Sequence, residues 1–130
     1  MFRPILDEAH VHPAIRERIA HNHADLVGEV QHAIDTNDVV VVGMAQNPFP
    51  KRARRALAAA GIGCRYLEYG SYFSQWRRRN ALKMWTGWPT FPMVFVRGVL
   101  VGGAHDLERL LAGGELGRML DAPRPAPVSG

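Results

Sequence analysis

The chain has 130 residues, 47% of them hydrophobic and 22% charged, which fits one globular domain with one core rather than a disordered chain or two domains. One cysteine, Cys64, excludes an internal disulfide framework, a cysteine-based zinc site within the chain and a dithiol redox centre. The formal charge of +4 favours anionic partners without implying nucleic acid; no apolar run approaches a membrane span, no signal-peptide stretch opens the chain, and the expected compartment is cytoplasmic.

Residues 1–12 show no sustained pattern and are expected as a flexible N-terminus. Residues 13–34 read as a helix. Ile15, Ile19, Leu26, Val30 and Ile34 fall on one stripe, Pro13 suits a first turn, and 21–24 is where the helix would break. After a turn at Asn37-Asp38 come four consecutive valines, 39–42. Their lack of alternation predicts a strand covered on both faces. Residues 46–50 (Gln-Asn-Pro-Phe-Pro) are expected as a loop and 51–60 as a helix with Ala53, Ala56, Leu57 and Ala60 inward. A second strand follows at 64–69, then a third helix at 74–85 with the basic run Arg77, Arg78 and Arg79. A proline-rich turn over 86–92 leads to a strand, Met93–Val96, which Gly98 turns back onto Leu100 and Val101 as a hairpin. Helices over 106–112 and 116–120 complete a domain expected to span 13–120, before a disordered proline-rich tail at 121–130.

The order is helix, β, α, β, α, β, β, α. A β-α-β start demands a parallel crossover, and the closing hairpin is antiparallel. The economical packing is an α/β fold: a four-stranded mixed sheet flanked by helices.

That order, with an extra N-terminal helix, resembles the thioredoxin-like fold in its glutaredoxin form. The residues sharpen the likeness. Arg79-Asn-Ala-Leu-Lys-Met-Trp-Thr-Gly-Trp-Pro-Thr-Phe-Pro92, a strand, and then Gly98-Val-Leu-Val-Gly-Gly103 resemble the C-terminal half of monothiol glutaredoxins. That family carries R-x-x-L-K, then W-P-T-x-P, then a hairpin ending in V-G-G. The resemblance spans about 38–111.

It implies that Pro92, in the Thr90-Phe91-Pro92 motif, is cis. It also implies that the N–H and C=O of Phe91 pair with an extended peptide, which in glutaredoxins is glutathione. It assigns Arg79 to the glycine carboxylate of glutathione, a role suited to a two-pronged guanidinium. The plainer use of an arginine run is a solvated helix face. The resemblance also puts Gly103, His105 and Asp106 at a helix start whose N–H groups meet the γ-glutamyl carboxylate. Asp106 fits the second acidic position there, and His105 replaces the first.

The likeness fails at the reactive position. The family's C-P-Y-C or C-G-F-S motif falls on Asn47, Pro48, Phe49 and Pro50, and Met44 stands where a lysine is frequent. Thiol–disulfide exchange needs a thiolate, and a [2Fe–2S] cluster uses the same cysteine together with glutathione's thiol. No catalytic residue is therefore assigned at 47–50, and neither the usual reduction nor an iron–sulfur cluster is expected. Cys64 reads as a small packed hydrophobe at the far end of the second strand, with a regulatory thiol or a dimer-forming disulfide as its other use. The pairs His10/His12 and His21/His23 give no metal set, since a spacing of two separates side chains on a helix. Trp76, Trp85 and Trp88 near the arginines are too short a cluster to imply nucleic acid.

Three functions stay open. The first is a redox-inactive relative that binds glutathione or an acidic peptide. The second is an atypical glutathione-dependent oxidoreductase or electron-transfer protein using Cys64. The third is an interaction module, with no small ligand, that meets an acidic protein. The residues lean away from an enzyme, and a homodimer is left open.

Overall fold

Four successive valines need cover on two sides, and the chain supplies it. In a computed structural model, which describes residues 3–71 and 74–125, strand β1 (Val39–Gly43) is buried along its whole length. It lies between β2 (Arg65–Glu68), its parallel neighbour, and β3 (Met93–Val96), its antiparallel neighbour; β4 (Val99–Gly102) closes the sheet in the order β2-β1-β3-β4. The β3–β4 turn puts Arg97 and Gly98 at φ 49° and 84°, the left-handed pair that a tight two-residue hairpin requires.

Side-chain alternation along β1 divides the core. Val40 and Val42 join Met93, Phe95 and Leu67 beneath α2 (Ala24–Thr36) and α4 (Trp76–Thr86), which contribute Leu26, Val30, Ile34 and Leu82. Val39 and Val41 join Val94 and Val96 beneath α3 (Pro48–Ala59), α5 (Ala104–Ala112) and α6 (Glu115–Asp121), which contribute Ala53, Leu57, Leu107 and Leu116. The thioredoxin-like fold read from the sequence is the fold observed.

Several local expectations are corrected. The helix expected over 13–34 is two: α1 (Pro13–His21) and α2, separated at Asn22 and His23, where His23 takes a left-handed φ of 50°. After that break α1 buries nothing. Ile15 and Ile19 are exposed, while Leu26, Val30 and Ile34 are buried. The stretch 46–50, expected as a loop, already holds the first turn of α3. Asn47 caps it through its side chain and Pro48 fills the first position, where a missing N–H costs nothing. Of the residues expected inward on that helix, Ala53 and Leu57 are buried, Ala56 is half-buried and Ala60 is exposed.

The described ends carry local structure. Within 1–12, a short 3₁₀ turn, Glu8–His10, is capped by Asp7. In the tail, α6 runs to Asp121, and the guanidinium of Arg124 donates to the carbonyls of Ile34 (3.0 Å) and Asn37 (2.7 Å), closing the C-terminal end of α2. The remainder of the expected disordered tail, 126–130, lies outside the described residues.

Candidate functional site

Three segments meet where β1 ends: the first turn of α3, the loop over 87–92, and the β4–α5 junction. They enclose a cavity of about 450 Å³. A close approach fixes the first wall. A Cβ on Gly43 would stand 2.7 Å from Pro50, so only glycine at the end of β1 lets α3 begin this near the sheet. Asn47 caps α3, with its Oδ1 accepting from the Phe49 N–H at 3.0 Å. Its Nδ2 donates across the gap to the Phe91 carbonyl at 3.3 Å.

The second wall is the loop. The Phe91–Pro92 bond is cis, as the resemblance implied. The hydroxyl of Thr86 donates to the Leu82 carbonyl and accepts from the Trp88 N–H at 3.1 Å, which ties the loop to the end of α4. Thr90, Phe91 and Pro92 all line the cavity. Trp88 lines it too, and its buried Nε1–H has no acceptor among the described residues.

The third wall is the start of α5. Asp106 accepts from the Gly103 N–H at 2.9 Å, which leaves the N–H groups of residues 104–106 without a partner inside the helix. These amides sit at the positive end of the helix dipole. His105 is exposed above them, its ring 6.4 Å from that of Phe49.

Of the residues the resemblance assigned, Thr90, Phe91, Pro92, Gly103, His105 and Asp106 line the cavity. Arg79 does not line the cavity. It is buried at 7% exposure, and its guanidinium donates to the carbonyls of Ser74 and Tyr69, bracing the connection from β2 to α4. Lys83, one turn further along α4, lines the cavity instead, with its ammonium 5.7 Å from the centre of the Phe91 ring. The signal was present in the R-x-x-L-K block, whose arginine and lysine are four residues apart on one helix face. Trp88 was also missed, although it stands in the quoted W-P-T motif.

Cys64 and the histidines other than His105 are not among the residues lining the cavity. Cys64 is exposed just before β2, at the edge of the parallel pair opposite Asn47. Partial burial of its thiol pushes the pKa up, against the opposing pull of Arg54. His12 caps α1, and the Nδ1 of His21 donates to the Glu17 carbonyl. Among the described residues no three histidine, cysteine or carboxylate side chains converge on a point, and no helix is long and apolar enough to cross a membrane.

Comparison with known proteins agrees with this geometry. The glutaredoxin family model matches residues 39–101. A glutaredoxin-like protein of Dictyostelium discoideum is 49% identical over 94 residues, covering 72% of this chain and 76% of that protein. A probable monothiol glutaredoxin 2 of Rickettsia prowazekii is 32% identical over 94 residues, covering 70% and 87%. Among solved structures, oxidized glutaredoxin 2 of Chlamydomonas reinhardtii superposes with a TM-score of 0.63 at 28% identity, covering 75% of this chain and 92% of that one. A buckwheat glutaredoxin–glutathione complex superposes at 0.65 and 21% identity, covering 78% and 92%, a likeness of fold. A relative matched at nearly half its aligned residues, on a sheet of this order with this cis-proline loop, leaves one assignment: the chain belongs to the glutaredoxin family of the thioredoxin superfamily.

Proposed function

We propose that this chain binds glutathione in the cavity between α3, the cis-proline loop and α5, and performs no thiol–disulfide exchange by the family's usual route. The observation that carries this reading is a cavity with cationic and N–H donors on facing walls and an amide, Asn47, at the mouth of α3. A dicarboxylate peptide suits such a cavity. Lys83 meets one carboxylate, and the free amides at the start of α5 meet the other.

Asn47 stands where the resemblance puts the nucleophilic cysteine. An amide neither ionises nor attacks sulfur, so no mixed disulfide forms there. An iron–sulfur cluster does not fit the same position, because the donor is a primary amide already engaged at both ends rather than a thiolate. Cys64 offers no substitute. It lies beyond the opposite end of β2, and its raised pKa keeps the thiolate scarce at neutral pH.

Calorimetric titration with reduced glutathione tests the binding. Wild type is expected to bind and Lys83→Ala to bind about tenfold more weakly. Absence of heat at millimolar glutathione rejects the proposal. A coupled mixed-disulfide reduction assay tests the chemistry: wild type is expected at background and Asn47→Cys above it. Wild-type turnover that vanishes in Cys64→Ser transfers the site to Cys64.

A further inference from the structure

We infer that Asn47 is a built-in partner of the Phe91 carbonyl, so that a ligand N–H pairing with that carbonyl must share it with, or displace, the asparagine amide and binds more weakly for it. The inference rests on the glutathione reading above for the identity of the ligand. A primary amide has an accepting end and a donating end. The accepting end of Asn47 is committed to the Phe49 N–H, one of the first-turn donors of α3 that has no partner inside the helix. That commitment aims the donating end across the cavity, where it meets a residue 44 positions away in sequence, the one before the cis proline.

Few side chains do both jobs. A carboxylate at this place caps α3 equally well but sets an anionic oxygen against the Phe91 carbonyl. A serine hydroxyl or a thiol caps but has no second arm. The asparagine therefore joins two walls of the cavity by a side-chain bond. It also takes up one lone pair of the main-chain carbonyl that an extended ligand's N–H would seek beside Pro92. Asn47 is a positioning residue here, acting on the ligand through the Phe91 carbonyl.

Asn47→Ser keeps a cap for Phe49 and removes the arm to Phe91; Asn47→Asp keeps the cap and reverses the sign at the arm. Two readouts are taken on each variant: glutathione affinity by calorimetry, and amide hydrogen exchange over 87–92 by NMR. Asn47→Ser is expected to bind glutathione about three- to tenfold more tightly, the range that follows from freeing one modest hydrogen-bond acceptor. In both variants the amides of Trp88, Thr90 and Phe91 are expected to exchange several-fold faster, with α3 unchanged. Equal affinity in wild type and Asn47→Ser, or unaltered exchange in the loop, overturns the inference. If wild type and both variants all fail to bind glutathione, the ligand assignment falls. Exchange then decides the bridge by itself: faster exchange upholds it and unchanged exchange removes it.

Discussion

Two cavities of nearly equal size, about 450 and 460 Å³, occupy different parts of the molecule. The first, at the end of β1, is walled by segments tied to one another: Asn47 to Phe91, Gly103 to Asp106, Trp88 to Thr86. It presents an ammonium, a hydroxyl and a helix start. The second lies between α1, α2 and α4, with Ile19, Val27, Ala81, Met84 and Trp85 among its lining. It contains no titratable side chain, and one of its walls is α1, a helix with no buried residue. Volume alone would rank the two together. Fixed donors and braced walls separate them, because a ligand gains from a preformed site only what it need not spend in ordering it.

Substitutions can break this contrast or sharpen it. The largest expected effect is at Leu26, fully buried in α2 behind the second cavity. Leu26→Ala is expected to cost about 3 kcal/mol in denaturant unfolding while leaving glutathione affinity unaltered in the folded protein. Next is Lys83→Ala, expected to lose about 1.4 kcal/mol of binding with little change in unfolding midpoint. Asp106→Ala removes the bond that holds Gly103 and is expected to cost about 1 kcal/mol of stability and to weaken glutathione binding several-fold. The smallest effect belongs to Ile19→Ser at the second cavity, within about 0.5 kcal/mol by thermal unfolding and neutral in titration, since the side chain is 56% exposed. An Ile19→Ser protein that loses glutathione binding as Lys83→Ala does would erase the distinction.

The sheet was legible because its signals are local. A valine run without alternation, a glycine turn between two short apolar runs, and the Thr-Phe-Pro motif each constrain their own backbone. What escaped depends on distant contacts. Ile15 and Ile19 share the stripe of Leu26 and Val30, and periodicity reports amphipathicity without saying whether a partner surface is present. Pro48 and Pro50 read as a loop, yet a proline is equally at home in the first turn of a capped helix, and the cap was visible in Asn47. Arg79 and Lys83 lie on one helix face. Which one enters the cavity was decided by the carbonyls of Tyr69 and Ser74, which bend back over the start of α4 and claim the arginine. The reach of Arg124 to Ile34 spans 90 residues and leaves no trace in local pattern.

That last contact has a practical side. Arg124 ends its reach at the turn leading into β1, and Pro125 stands near Gly98 at the β3–β4 turn, both on the rim of the sheet farthest from Asn47. A reporter or tether joined directly after Pro125 therefore starts from the end of the domain opposite the cavity.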